Sequence, residues 1–123
     1  MHKWRTSRIK SFNNAFSGLW FNLRREPNFL IQLCIGTLVI LAGLVLSLRR
    51  MEWVLLLLSI GAVLSAEAMN TAIEKICDRF LDQKDPLVKI IKDSAAAAVL
   101  IISFAAAAVG LLVFWPHVKL IFE

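Results

Sequence analysis

The chain has 123 residues, 59% of them hydrophobic, with three Pro, five Gly and a mean hydropathy of +0.70, far too apolar for a soluble domain of this length. Its 14 Lys and Arg exceed nine Asp and Glu to give +5; beside long apolar runs this points to anionic lipid headgroups or phosphates, and no RNA- or DNA-binding motif suggests nucleic acid. A few helices cannot enclose a large polar cleft in one copy, so chemistry here calls for an oligomer.

Residues 1–25 set Trp4, Ile9, Phe12, Phe16, Leu19 and Leu23 at near-helical spacing, with Lys3, Arg5, Arg8, Lys10, Arg24 and Arg25 around them. The pattern predicts an amphipathic helix lying on the membrane surface; a basic topology anchor with no part in a site is the plainer alternative. A signal peptide is excluded, because the first apolar run begins only at residue 29, is too long for an h-region and ends at "SLRR" without a small-residue cleavage pattern.

Residues 29–48, "FLIQLCIGTLVILAGLVLSL", carry no charge and match the roughly 20 residues a helix needs to cross a bilayer. "RRME" at 49–52 predicts a very short turn, and a second membrane helix is expected over 53–80. The third span is expected over 94–115, stopped by Pro116. Its alanine runs, 95–98 and 105–108, suggest a face where neighbouring helices approach closely. Cys34 and Cys77 resemble neither a disulfide framework nor a metal knuckle and are expected as buried, reduced thiols. Gln32, inside the first span, is assigned to a contact with a neighbouring helix ahead of one with a lipid hydroxyl.

Lys and Arg near the span ends set the orientation. Six lie before the first span, two in the 49–52 turn, five from Lys75 to Lys92 and one, Lys119, in the tail. The N-terminus and the 75–92 stretch are therefore expected to be cytoplasmic, with the C-terminus on the outer side. Glu26, the 67–78 stretch, and Lys92 with Asp93 then all approach one boundary.

That boundary carries the unusual chemistry. Glu67, Asn70, Glu74 and Asp78 follow one another at spacings of three, four and four, and with Thr71 they share a helical arc of roughly 100°. A solvated helix end explains Asp78 and Glu74, but an ionisable group as deep as Glu67 needs a pairing or functional reason. Carboxylates in a partly dry site can hold Mg2+ through hard oxygen ligands or take a proton from a hydroxyl, and Lys92 offers a point charge for phosphate. Three readings stay open on the residues alone: Mg2+-assisted phosphoryl chemistry at the bilayer surface, a proton or cation pathway, and structural ion pairs such as Glu with Lys92. No P-loop, dinucleotide fingerprint or protein-kinase catalytic loop is present, and His2 and His117 fall on opposite expected sides of the membrane, against a shared metal site or triad.

"EAMNTAIEKICD" at 67–78, followed by "KIIKDSAAAAVL" at 89–100, closely resembles the signature of the prokaryotic diacylglycerol kinase family, small three-span lipid kinases that include undecaprenol kinases. "FNNAFSGL", Glu26 and the three-span layout extend the resemblance over nearly the whole chain. It implies one lipid kinase domain over 1–123, all-α and integral to the bacterial inner membrane, normally a homotrimer, that passes the γ-phosphoryl of ATP with Mg2+ to a lipid hydroxyl. By residue, the resemblance implies Glu67 as general base and Glu26 and Glu74 as the carboxylates that hold metal and ATP phosphates. Asn70 and Ala96, with Glu67, match substrate-lining positions, and Lys92 and Asp93 match a nucleotide-contacting pair. Arg8 and Asn14 resemble surface-helix positions that touch ATP and lipid. Lys84, Asp85 and Pro86 fall in the nucleotide-contacting loop, with Asp85 where many members have His or Glu. The apolar texture of residues 28–74 is more similar to the undecaprenol kinase branch, so undecaprenol is the expected acceptor and diacylglycerol the alternative.

Overall fold

The structure, a computed structural model, describes the backbone of residues 2–122 and the side chains of residues 8–121. The side chains of His2, Lys3, Trp4 and Arg5, invoked above, lie outside the described residues. Four helices follow one another: α1 (His2–Arg25), α2 (Pro27–Val45), α3 (Arg50–Phe80) and α4 (Pro86–Phe122). Three of them, α2, α3 and α4, are long and apolar enough to cross a membrane.

The breaks have local causes. Glu26 is extended, with φ −115° and ψ 103°, because a residue before proline is pushed out of the helical region, and Pro27 then opens α2 at its first position. The second break falls at 46–49, where Ser47 takes a positive φ of 53°, and Glu52 lies inside α3 instead of in the turn. The Glu52 carboxylate accepts the backbone N–H of Arg49 at 2.7 Å and the guanidinium at 2.8 Å, satisfying donors at the start of α3. The third break is a five-residue turn, 81–85, in which Asp82 accepts the N–H of Lys84 and Asp85 accepts the N–H of Leu87, both at 2.9 Å.

α3 is the centre of the bundle, with α4 against it along most of its length, α2 on another side and α1 touching α2 and the end of α3. Leu48, Leu56 and Val113 form a small buried cluster, with Val39, Trp53, Val109 and Phe114 packed around it. α2 approaches α3 closely because Gly36 and Gly43 leave room: a Cβ at Gly36 would stand 3.0 Å from Ile60, and one at Gly43 would stand 2.9 Å from Leu48 and 3.0 Å from Trp53.

Further sequence expectations are corrected: the third membrane helix begins at Pro86, eight residues before the expected start at 94. Pro116 does not stop the third membrane helix, which runs through it to Phe122. A proline removes one helical hydrogen bond without reversing the chain, and here both flanks are held on α3, Val113 in the buried cluster and His117 by Glu52 at 3.1 Å. Cys77 is buried and reduced as expected, but Cys34 is free and exposed on the outer side of α2. Much of the apolar surface faces outward, including Leu38, Leu44, Phe104, Leu111 and Leu112.

Candidate active site

At the end of the bundle away from the Leu48–Leu56–Val113 cluster, α2, α3 and α4 line an open polar pocket of about 280 Å³. α2 contributes Asn28 and Gln32, one helical turn apart on the same face; α3 contributes Glu67, Asn70 and Glu74; α4 closes it with Ala96, Val99, Leu100 and Ser103. The i, i+3, i+7 spacing on α3 delivers the three polar side chains to one side. Glu67 is only 4% exposed and Asn70 7%. Nothing about helix propensity asks for a carboxylate there, and among the described residues no cation forms an ion pair with it.

Amides hold the acids. Gln32 Nε2 donates to Glu67 Oε2 across a long 3.4 Å, and Asn70 Nδ2 donates to Glu74 Oε1 at 3.1 Å. Turning either amide over would set its oxygen against a carboxylate, so the acids fix its orientation. The oxygens left behind, Gln32 Oε1 and Asn70 Oδ1, are buried and receive no hydrogen bond. Acceptors without donors inside a pocket call for a hydroxyl, an ammonium or a metal ion to meet them. The charges of Glu74 and Glu26 both act on Glu67, so the three carboxylates share one field.

Glu26 itself sits at the α1–α2 break, where Lys75 Nζ of α3 lies 2.9 Å from its Oε1. That oxygen is buried, and although the ion pair is short, no donor meets it in hydrogen-bond geometry. A second cleft of about 330 Å³ is lined by Gln83, Val88, Lys89, Lys92 and Asp93. Here Lys92 pairs with Asp78 at 2.8 Å and Lys89 pairs with Asp93. Lys92, offered among the open readings as an ion-pair partner for a glutamate, pairs with Asp78, one turn beyond Glu74 on α3.

The sequence-expected residues therefore fall into groups. Glu67, Asn70, Glu74 and Ala96 line the polar pocket, Lys92 and Asp93 the second cleft, and Glu26 stands on Lys75. Lys84, Asp85 and Pro86 occupy the turn into α4, exposed, with the Asp85 carboxylate engaged in capping. Arg8 and Asn14 are exposed on α1 and line neither pocket. Gln32 makes the helix contact assigned to it. Asn28, Ser103, Gln83 and Lys75 were not foreseen. Asn28 had a readable signal, since it lies one turn before Gln32 at the head of an apolar run. Gln83, which donates to the Cys77 carbonyl at 2.7 Å and closes the end of α3, had none. Among the described residues no three His, Cys, Asp or Glu side chains gather as a ready metal cage.

Three helices apolar enough to cross a membrane, with a pocket between them lined by Glu67 and Glu74, define a small membrane protein with a polar site. Residues 13–114 match the family described as prokaryotic diacylglycerol kinase. The undecaprenol kinase of Bacillus subtilis (strain 168) is 38% identical over 108 residues, 88% of each chain. The diacylglycerol kinase of Synechocystis sp. (strain ATCC 27184 / PCC 6803 / Kazusa) is 36% identical over 103 residues, which is 83% of this chain but 59% of that longer protein. The chain belongs to the prokaryotic diacylglycerol kinase family. By that membership it is a membrane lipid kinase that uses ATP, and the cation-pathway reading loses its ground.

Proposed function

We propose that the chain phosphorylates undecaprenol with MgATP, giving undecaprenyl phosphate, as a homotrimer at the cytoplasmic face of the bacterial inner membrane. The observation that carries this reading is the junction of the polar pocket with apolar grooves. Gln32 and Ser103 line both the polar pocket and an apolar groove of about 350 Å³. That groove shares Ile35, Val39 and Ile60 with a further groove of about 540 Å³ towards Trp115. A neutral head with a long hydrocarbon tail suits this arrangement. The similarity to the Bacillus undecaprenol kinase over 88% of both chains favours the polyprenol. Diacylglycerol, named in the family description and in the Synechocystis relative, is the alternative acceptor.

Depth supports a lipid hydroxyl as acceptor. At about 1.5 Å per residue from Arg50, Glu67 lies roughly 26 Å along α3 and Asp78 roughly 42 Å, against a hydrocarbon core of about 30 Å. Glu67 is then just inside the boundary and Asp78 outside it. Lys and Arg counts favour that end as the cytoplasmic one, and the outward Ile9, Phe12 and Phe16 of α1, with Arg8 and Lys10 on either side of Ile9, suit a helix lying on anionic headgroups. The outward apolar faces of α2 and α4 leave room for neighbouring copies.

In this reading Glu67 takes the proton of the lipid hydroxyl, whose oxygen attacks the γ-phosphorus of ATP while the bond to the β,γ-bridging oxygen breaks and ADP leaves. Gln32 and Asn70 orient the hydroxyl and the acids through their amides. Glu26 and Glu74, hard oxygen donors with an under-satisfied Glu26 oxygen, fit Mg2+, with phosphate oxygens and water completing the shell. Bound Mg2+ would neutralise charge developing on the transferred phosphoryl group. Lys92, Asp93 and the Lys84–Asp85–Pro86 turn would face the nucleotide, and Arg8 and Asn14 would reach it or the lipid from α1.

The test is incorporation of γ-labelled phosphate into undecaprenol and diacylglycerol, side by side in the same mixed micelles. Strong preference for undecaprenol is expected. Preference for diacylglycerol would replace the acceptor, and labelling of neither would refute the reading.

A further inference from the structure

We propose that Lys75 is the resident counter-ion of Glu26, occupying it until a divalent cation arrives, and that the displaced ammonium then binds the phosphate oxygens of the nucleoside triphosphate. The proposal rests on the reading of Glu26 as a metal-holding carboxylate.

Three observations carry it. First, Lys75 Nζ lies 2.9 Å from Glu26 Oε1, yet that oxygen is buried and lacks a well-directed hydrogen bond. A contact that is short but badly aimed leaves the oxygen under-satisfied, and a doubly charged ion would satisfy it better. Second, the charges of Glu74 and Asp78 also act on the Lys75 ammonium. Lys92 is already committed to Asp78 at 2.8 Å, which leaves Lys75 as the cation paired with Glu26, in the neighbourhood a metal would take over. Third, the side chain is 56% exposed against 16% for Glu26. Nζ lies over the Phe21 ring, 5.9 Å from the centroid, and on so exposed a side chain the ammonium can leave Glu26 without vacating a packed position.

The chemistry then orders itself. Without a cation, a bare Glu26 beside Glu74 and Glu67 would be repelled by its neighbours, and Lys75 offsets that repulsion. Cation binding at Glu26 releases the ammonium beside the incoming phosphates, where a flexible point charge is suited to bind. Lys75 therefore opposes the free metal and assists the nucleotide. A residue that merely bolts α1 to α3 would not affect the two in opposite directions.

The experiment uses the full chain in lipid nanodiscs, with Mn2+ as the probe followed by electron paramagnetic resonance and a non-hydrolysable ATP analogue titrated in parallel. Lys75→Gln should tighten Mn2+ binding without nucleotide about fivefold and weaken the analogue in the presence of Mn2+ about tenfold. Lys75→Arg should restore analogue binding while weakening free Mn2+ about threefold, because the guanidinium grips Glu26 with two donors. Both ligands unchanged in Lys75→Gln, or both weakened together, would overturn the proposal. If Lys75→Gln does not fold, unchanged Mn2+ binding in Lys75→Arg overturns it instead. Glu26→Gln separates this idea from its foundation: intact Mn2+ binding there removes Glu26 as a metal residue, whereas lost binding there with a silent Lys75→Gln sinks the Lys75 proposal alone.

Discussion

Gln32 on α2 and Glu67 on α3 meet across the helix interface, amide nitrogen to carboxylate oxygen at 3.4 Å, and that contact joins the only acid of the polar pocket that is almost wholly buried to the helix that Glu26 precedes. Glu67→Gln should keep the fold and lower kcat by about 10²- to 10⁴-fold, the range for loss of a general base. Turnover near the unmodified rate would take the base role from Glu67. Gln32→Leu should lower kcat about tenfold with KM for ATP unchanged, since it frees the carboxylate without touching the nucleotide; a selective rise in KM for ATP would contradict that placement.

Gly43 is a packing requirement. A methyl there meets Leu48 and Trp53 at 2.9 and 3.0 Å, so Gly43→Ala should destabilise the bundle by about 1–3 kcal/mol. Gly18 of α1 has open space around its Cβ position, and Gly18→Ala should be neutral or stabilising by up to about 1 kcal/mol. Thermal unfolding of the two variants in one detergent checks the contrast.

Glu52 ties together the end of the molecule remote from the pocket, holding Arg49 at 2.8 Å and His117 at 3.1 Å. Glu52→Ala should lower the unfolding temperature, by a loss of about 1–3 kcal/mol, and leave KM for both substrates in place. His117→Ala, which removes one of the two partners, should cost less. A Glu52 variant as stable as the parent would show that the contact contributes nothing.

Asp85 is both the cap of α4 and a residue of the loop expected to face nucleotide. Asp85→Ala should destabilise by about 1 kcal/mol, whereas Asp85→Asn, which also caps, should not. Calorimetry on the pair decides whether the carboxylate or merely its oxygen matters to the turn.

Periodicity made much of the site legible. Glu67, Asn70 and Glu74 could be placed on one face of one helix because a helix repeats every 3.6 residues whatever surrounds it. Apolar run lengths likewise announced three candidate spans. What stayed hidden depends on tertiary choice. Lys92 could reach Glu74 or Asp78, and only the crossing of α3 with α4 selects Asp78. Pro116 reads as a stop because the pattern cannot show that Val113 and His117 anchor the helix on both sides of it. Lys75 resembled one more basic residue at a helix end until the bend at Glu26 brought that carboxylate to it. Ser103 is a lone hydroxyl in an apolar run, and no spacing marks it.

The burial of Glu67 without a cationic partner among the described residues has a consequence for product release in the proposed reaction. An uncharged alcohol can settle against that carboxylate, but the same molecule carrying a phosphate monoester brings up to two negative charges to a spot only 4% open to solvent. In the proposed reaction Glu67 leaves the step protonated, and once it has passed that proton to water its restored charge would repel the product. Turnover would then be helped by expulsion, with the hydrocarbon tail sliding back along the grooves it entered while the new phosphate moves outward to water.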